Sequence, residues 1–437
     1  MKKIFLSIFI VFLFSSSPLI SAGGIKETNL VNDADIPASH LIENVQYVSQ
    51  LPGHCFFACL EMIYKYYGIE NISQSELSAL QGQAYSLLYQ PSLKAKTHRP
   101  FIKPSYKYYY QPSIFSNQGN EDIRFVADLL GFEVENHHPD KYNSHIENWN
   151  NYWSKLKETI SNNTPLITCI DLFVWPLYLE PNKIPKIKGL IQRDSHSILV
   201  VGYNESNQTV CVHDPYSGQL NESEKGTYYW TSLSLFKRGV RRAHWDIVFS
   251  SYDMYIFKKV NSTLSKEEIF EECHDRNIEK MKGNKTAYDK EFYRDNFEKF
   301  GIEVWQQMKK DFDSYFIQFL PIYRILNRFT WMPFDMINVN SYEAGLKSEV
   351  AELLNKTAYV LENQSLKDIY IYESKLFFNE SKKLDELASL TKDLKNAVEQ
   401  IRFFKSYFES RIIVDNICDK IDEIISIEEA IIAGPSE

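Results

Sequence analysis

The sequence predicts an α+β domain, in which a central helix packs on an antiparallel sheet, followed by an all-α helical C-terminal domain. Three observations lead to this fold class. An apolar helix with a cysteine at its start follows a Pro-Gly break, a β-hairpin pattern carries a histidine and an aspartate, and strand signals become rare after residue 260. We expect a signal peptide over residues 1–22, an extended lead-in over 23–43, the α+β domain over 44–260 and a helical bundle over 261–437.

The composition argues against several function classes. The 437 residues carry a net charge of −9 and show no basic aromatic patch, which argues against nucleic-acid binding. The sequence contains no Gly-rich nucleotide-binding loop, so we expect no cofactor. A hydrophobic share of 44% is enough for folded cores.

The first 22 residues have the three parts of a secretory signal peptide. Lys2-Lys3 is a positive n-region, residues 4–14 form a short apolar h-region, and residues 15–22 are small and polar up to a cleavage site after Ala22. The alternative, a membrane anchor, requires a longer apolar run. We therefore expect a protein exported from a bacterial cell, periplasmic or secreted, with no transmembrane span after signal removal.

Cys55 is predicted to lie at the start of a central helix. Pro52-Gly53 ends an extended entry, and the helix runs from there to Gly68. Its apolar face consists of Leu60, Ile63, Tyr64 and Tyr67. Free N–H groups and the positive end of the helix dipole favour a thiolate at this position. Gln50, just upstream, is placed to help bind an oxyanion.

Other interpretations of the cysteines stay open. Cys55 and Cys59 also fit a purely structural role, as two small buried residues of a core helix. A zinc site would need a second pair of ligands at suitable spacing, which the sequence lacks. The six cysteines of an exported protein can form disulfides, and a nucleophilic role requires Cys55 to be free.

A β-hairpin pattern over residues 194–215 brings a histidine and a carboxylate together. If the turn is centred just after Glu205, Ser197 pairs with Asp214, and His196 lies beside Asp214 at the open end of the hairpin. Such an aspartate can orient the imidazole and stabilise its protonated form. Taken singly, His196 also fits a hydrogen-bonded core histidine, and Asp214 fits a turn-former before proline.

Further elements follow from pattern alone. We expect a capped helix start at Ser73, together with helices over 122–130 and 146–160 and strands over 132–135, 165–173, 245–249 and 254–259. Residues 81–120 look irregular and contain four prolines and the aromatic run Tyr106–Tyr110. A loop over a cleft and an ordinary surface insertion explain this stretch equally well.

Helical periodicity dominates the last part of the chain. Apolar residues recur at helical spacing over 346–361, 387–408 and 417–424. The stripe over 387–408 covers about three heptads, which favours a bundle or helical hairpin over a free coiled coil. A helix for dimerisation or for docking a protein partner is the alternative.

The order Gln50, Cys55, His196, Asp214 resembles that of papain-like cysteine enzymes, and residues 44–260 resemble two bacterial groups within that fold. Similarity to the bacteriocin-processing (double-glycine leader) peptidases rests on Gln50, Cys55, Cys59-Leu60, Met62-Ile63, Tyr66-Tyr67-Gly68, His196 and Asp214-Pro215. Similarity to the family typified by the N-terminal domain of butirosin biosynthesis protein H rests on His54-Cys55, residues 170–173, the long loop before His196, residues 200–203 and Asp214-Pro215. The first resemblance implies a cysteine peptidase. The second implies acyl transfer from a carrier-protein thioester to an amine, and members of that family can carry a helical C-terminal region.

Three functional hypotheses follow. The first is an exported cysteine hydrolase that cleaves an amide or peptide bond: Cys55 attacks the carbonyl, His196 acts as general base and then acid, Asp214 orients His196, and Gln50 helps bind the oxyanion. The second is an acyltransferase that uses the same residues on an acyl or amide substrate. The third is a non-catalytic secreted effector whose helical domain engages a protein partner.

Overall fold

The computed structural model describes residues 36–435 except for 86, 92–105, 111–120, 138–142, 173–174, 176–194, 217–222, 243–251, 262–263, 285–298, 324–331, 362 and 400–403. The predicted signal peptide, the predicted strand over 245–249 and nearly all of the long loop before His196 lie outside the described residues. Within these limits the protein has an antiparallel sheet with helices on both faces and a helical C-terminal region.

The first part of the chain contains the main sheet and the helices around it. Its strands are β1 (Ser39–Leu41), β2 (Leu87–Pro91), β3 (Tyr106–Tyr110), β4 (Phe132–His137), β5 (Leu166–Asp171), β6 (Ser195–Asn204), β7 (Thr209–His213), β8 (Tyr229–Ser232) and β9 (Met254–Lys259). Its helices are α1 (Cys55–Tyr66), α2 (Gln74–Leu80), α3 (Glu121–Leu129), α4 (His145–Ser161), α5 (Ser223–Gly226) and α6 (Leu233–Arg242). The predicted elements at 122–130, 132–135, 146–160, 165–173 and 254–259 are confirmed to within about two residues.

The main sheet has seven strands in the described part of the chain. Their order is β4-β9-β5-β6-β7-β8, and β1 pairs with the second half of β6. Every pairing is antiparallel. The first residues of the central strand β6, which include His196, therefore lie between β5 on one side and the chain that follows β7 on the other.

The hairpin of β6 and β7 forms as expected but in a different register. Its turn occupies residues 205–208, one position later than predicted, and a bulge shifts the pairing between Val200 and Gly202. The ladder ends where Leu199 pairs with His213, and Asp214 follows directly. The predicted pairing of Ser197 with Asp214 is therefore wrong, because neither the turn position nor the bulge can be read from strand periodicity.

Helix α1 covers one face of this sheet. Aromatic contacts fix it there: the Phe56 and Tyr255 rings lie 5.4 Å apart, and Tyr64 lies 4.9 Å from Phe132. Phe56 and Tyr64 are fully buried, as is most of the helix. The helix begins after a turn over residues 51–54, closed by an N–H···O bond of 3.0 Å, with Gly53 at a φ of 77°. Proline followed by glycine at positive φ is the signature of a type II turn, so this start is encoded locally.

Helices α4 and α6 cover the opposite face. The Tyr152 hydroxyl of α4 donates to Thr168 of β5 over 2.8 Å. Gly239 of α6 lies so close to β5 that a Cβ there would be 3.3 Å from the Ile170 side chain. The sheet is thus enclosed between two helical layers, and its interior strands are apolar.

Part of the stretch over 81–120 forms a small second sheet rather than an irregular loop. Strands β2 and β3 pair antiparallel, and β10 (Lys299–Phe300), which comes from the C-terminal region, pairs with β2. The tyrosine run Tyr106–Tyr110 is strand β3 itself. This corrects the prediction of an irregular stretch for these residues, because consecutive tyrosines also favour strands.

The C-terminal region consists of long helices. They are α7 (Lys266–Met281), α8 (Ile302–Tyr323), α9 (Met332–Val360), α10 (Gln364–Glu399) and α11 (Phe404–Ala433). The apolar stripe predicted over 387–408 spans the end of α10 and the start of α11 rather than one helix. Leu387 and Leu394 share an apolar cluster with Ile417, Ile421 and Ile424, as a bundle interior requires.

A buried charged cluster lies inside this bundle. The ammonium group of Lys347 on α9 lies 2.7 Å from Glu380 of α10 and 3.3 Å from Glu428 of α11. The indole N–H of Trp305 on α8 donates to Glu428 over 3.0 Å. All four side chains are at most 3% exposed. Burial raises the pKa of the Glu380 carboxyl well above its usual value.

The helical region packs closely against the first part of the chain. Asn277 of α7 donates to the carbonyl of Ala79 over 2.9 Å, and Lys280 lies 2.6 Å from a carboxylate oxygen of Asp122. One apolar cluster includes residues of α2, α7, α9 and α10. Residues 37–437 form one compact unit, and the predicted domain boundary at residue 260 stays a prediction.

None of the described helices has the length and apolar character needed to cross a membrane.

Candidate active site

The structure brings three of the four predicted site residues into direct contact. Cys55 is the first residue of α1, His196 the second residue of β6, and Asp214 follows the last residue of β7. Nε2 of His196 lies 2.9 Å from Oδ1 of Asp214, and the His196 ring forms a hydrogen bond with the sulfur of Cys55. Because Asp214 occupies Nε2, the other ring nitrogen, Nδ1, faces the thiol. Sulfur, imidazole and carboxylate thus form a continuous chain.

Cys55 lies where a thiolate is stabilised. Burial alone would raise the pKa of its thiol, but the hydrogen bond and positive charge of His196, with additional hydrogen bonds from the backbone and side chain of Ser197, lower it below its ordinary value of 9.0. His54 at the N-cap makes no side-chain capping bond, and the first turn holds no acidic residue. The N–H groups and dipole of the helix start therefore remain available to a negative charge. Cys55 as a whole residue is partly exposed, whereas its thiol lies in a buried environment.

His196 is held in its protonated form. Its side chain is only 3% exposed, and this burial would lower its pKa. The charge and hydrogen bond of Asp214, followed by those of Cys55, outweigh burial and raise the pKa of His196 to about 10. With the pKa of the thiol lowered and the pKa of the imidazole raised, the site favours a thiolate–imidazolium pair over a neutral thiol and a neutral imidazole.

Hydrogen bonds hold both the carboxylate and the backbone carbonyl of Asp214. Its Oδ2 accepts a hydrogen bond from the indole N–H of Trp175 over 2.8 Å, and its Oδ1 accepts one from the backbone N–H of Tyr216 over 3.1 Å. The hydroxyl of Tyr47 donates to its backbone carbonyl over 2.8 Å. The bond to Tyr216 is that of a turn-forming aspartate, which is the alternative interpretation of Asp214 considered from the sequence. Asp214 and Trp175 are fully buried.

Gln50, the fourth predicted residue, is 8% exposed and lies in a segment without regular secondary structure. Its backbone N–H donates to the carbonyl of Pro215 over 3.0 Å. This bond places it beside the chain that carries Asp214, and the turn over 51–54 then leads back to Cys55. The position agrees with an oxyanion role for its side-chain amide, which stays a proposal.

The neighbouring candidates for the same chemistry do not share this environment. Burial raises the pKa of Cys59, one turn along α1, well above its ordinary value, so it remains a neutral thiol. Burial lowers the pKa of His213 to about 4, and its ring packs between Tyr47 and Tyr228. His54 points away from the site, with its ring against Phe57 and its Nε2 3.7 Å from a carboxylate oxygen of Glu349 on α9.

Sequence reasoning missed two residues that contact this site, Trp175 and Ser197. Trp175 stands in a stretch of sequence with no periodic pattern, and no local signal connects it to Asp214, which lies 39 positions later. Ser197 could have been found, because it directly follows His196 on a strand that leads to the site.

None of the six cysteines, all within the described ranges, forms a disulfide. Among the residues described, no group of three or more His, Cys, Asp or Glu side chains is arranged to hold a metal ion.

The comparison with protein families supports the same chemistry. No curated protein matches the chain significantly. Residues 42–235 match the model of a family described as Peptidase_C39 like family. The matched range includes all four predicted site residues but leaves out the helical region. The antiparallel sheet, its helices and the helical C-terminal region are compatible with a papain-like fold. Residues 42–235 are therefore similar to a papain-like, cysteine peptidase-like family.

Proposed function

We propose that the protein is a cysteine hydrolase that cleaves an amide or peptide bond through Cys55, His196 and Asp214. The observation that carries the proposal is the chain of contacts from the Cys55 sulfur through the imidazole to the buried carboxylate. The family match adds independent support for cysteine peptidase-type activity.

The proposed mechanism assigns each step of acyl transfer to a residue of the site. The Cys55 thiolate attacks the substrate carbonyl, and the oxyanion that forms is bound by free N–H groups at the start of α1 and by the side-chain amide of Gln50. His196 then gives its proton to the leaving amine, and later removes a proton from the water that hydrolyses the thioester. Asp214 holds the ring in position for both steps, and Trp175 and Tyr216 hold Asp214.

The same acyl-enzyme can be resolved by an amine instead of water, which would make the protein an acyltransferase. Amide and thioester substrates both form this intermediate, so the two activities separate only at the second step. Incubation with a peptide or thioester substrate, with and without an amine acceptor, distinguishes them. A product that incorporates the amine in preference to water contradicts the hydrolase proposal.

We further propose that the N-terminal residues 1–22 direct export, as their charge and hydropathy pattern indicate. A fusion of these residues to a reporter, followed by fractionation of the cells, tests this. A second, separate proposal is that the helical region binds a protein partner. The hypothesis of a non-catalytic secreted effector depends on the same binding.

The nucleophile is tested by alkylation with iodoacetamide at pH 6, followed by mass mapping of the modified cysteines. Cys418, partly exposed on α11, is the internal control, because burial raises the pKa of its thiol to about 11. The thiolate fraction of Cys55 should exceed that of Cys418 by at least about 100-fold, and the lower nucleophilicity of a low-pKa thiolate reduces this advantage in rate to at least about tenfold.

Acylation by p-nitrophenyl acetate provides the second test. The full chain should release a burst of nitrophenol that Cys55→Ala abolishes and Cys418→Ala leaves unchanged. Equal alkylation of both cysteines, or a burst that survives in Cys55→Ala, would contradict the proposed nucleophile.

A further inference from the structure

We propose that Gln74 is a positioning residue that holds the backbone of the oxyanion segment, residues 49–51, in register with the nucleophile. This inference rests on the proposed function. Gln50 lies in this segment, where neither a strand ladder nor a helix fixes the chain. Its position must therefore come from individual contacts, and the side chain of Gln74 makes two of them.

The amide of Gln74 bridges the backbone on both sides of Gln50. Its Oε1 accepts a hydrogen bond from the N–H of Leu51 over 2.6 Å, and its Nε2 donates to the carbonyl of Ser49 over 2.9 Å. One planar group thus satisfies a donor and an acceptor two residues apart. Gln74 is only 6% exposed, so water competes little for these bonds.

Gln74 is itself anchored to the helix that carries Cys55. It is the first residue of α2, and its backbone N–H donates to Oε2 of Glu61 over 2.9 Å. Glu61 lies on α1, is 7% exposed, and its Oε1 accepts a hydrogen bond from Lys65 over 2.7 Å. The lysine compensates the buried carboxylate, which leaves the second oxygen fixed for Gln74.

The contacts of Glu61 and Gln74 connect the two ends of the oxyanion segment back to the helix of Cys55. From Cys55 the path runs along α1 to Glu61, crosses to Gln74, and returns through the backbone of residues 49–51 to the turn that precedes Cys55. The distance between the sulfur and the proposed oxyanion donor therefore depends on the side chain of Gln74. Displacement of a catalytic group by about 1 Å costs about 100-fold in rate, so these contacts influence the rate through the position of Gln50.

The test uses two probes with different requirements. Acylation by p-nitrophenyl acetate passes through an oxyanion, whereas alkylation by iodoacetamide is a displacement that needs only the thiolate. Gln74→Met, which keeps the side-chain length and removes both hydrogen bonds, should slow Cys55 acylation about tenfold to 100-fold and leave Cys55 alkylation within about twofold.

Two further variants make the test specific. In a Gln50→Ala background, Gln74→Met should add at most about a twofold loss, because both changes act on one group. Gln74→Asn retains the amide but is too short to reach both backbone groups, so it should also slow acylation, and it replaces Gln74→Met if that variant does not fold.

Gln81→Met is the matched control. Gln81 is a buried glutamine at the other end of α2, and its side-chain amide has no hydrogen-bond partner among the described residues. This variant should acylate at the rate of the unchanged protein. Equal acylation by Gln74→Met and the unchanged protein, or loss of alkylation together with acylation, overturns the inference. The proposed function fails separately, if the unchanged protein shows no burst or if Cys55→Ala retains it.

Discussion

The bond between Trp175 and Asp214 provides a quantitative test of how the carboxylate is held. Trp175→Phe removes the indole N–H that lies 2.8 Å from Oδ2 of Asp214, in a fully buried position. A hydrogen bond to a buried charged group contributes about 1.5–3 kcal/mol, and the smaller ring leaves a cavity in addition. We therefore expect the free energy of unfolding to fall by at least about 2 kcal/mol.

The chain offers a matched control for this change. Trp305, 1% exposed in the helical region, donates its indole N–H to a buried carboxylate, that of Glu428, over 3.0 Å. Trp305→Phe removes the same atoms and the same kind of bond, and should destabilise the protein by a similar amount. Any difference between the two variants in the reactivity of Cys55 then reflects the site rather than the loss of stability.

The two variants should separate in the acylation assay. Without the Trp175 bond, Asp214 can rotate away from His196, and we expect acylation by p-nitrophenyl acetate to slow about tenfold. Trp305→Phe should acylate at the normal rate. Urea unfolding followed by circular dichroism gives the stability, and the burst of nitrophenol gives the rate. Equal acylation rates in both variants would show that Trp175 does not orient the carboxylate.

Three further predictions concern charge. Asp214→Asn removes the charge that raises the pKa of His196 to about 10, so the imidazolium should lose its proton at a lower pH. Alkylation of Cys55 by iodoacetamide at pH 6 should therefore slow at least about tenfold, and an unchanged rate would refute the coupling between Asp214 and His196. Burial lowers the pKa of His213 from 6.5 to about 4, so the stability that this histidine contributes is present above pH 6.5 and is lost as the pH falls towards 4. The protein should therefore lose unfolding free energy between pH 7 and pH 5, and His213→Phe should make this loss smaller by about 2 kcal/mol. Urea titration of both proteins at both pH values measures the difference. Lys347→Met removes the cation that lies between the buried side chains of Glu380 and Glu428, and it should destabilise the bundle by about 3–5 kcal/mol; no change in melting temperature would contradict the role of this buried cluster.

Local physical chemistry explains why so much of the α+β part was predictable. A proline followed by glycine sets the turn before α1, a 3.6-residue apolar period sets the helix, and alternation with a polar turn sets the β6–β7 hairpin. Each signal lies within about ten residues of the element that it determines. The run Tyr106–Tyr110 was misjudged because the surrounding prolines outweighed its strand propensity.

Local sequence pattern is enough to predict the helix that begins at Cys55, the strand that carries His196 near its start and the turn at Asp214. In contrast, the hydrogen bond from the indole of Trp175 to Asp214, and those from Gln74 to the segment around Gln50, become visible only in the folded structure. These are single contacts between residues separated by 23 to 39 positions, and periodicity carries no information about them. They form when the sheet and its helices pack, because buried polar groups must then find partners wherever the chain supplies them.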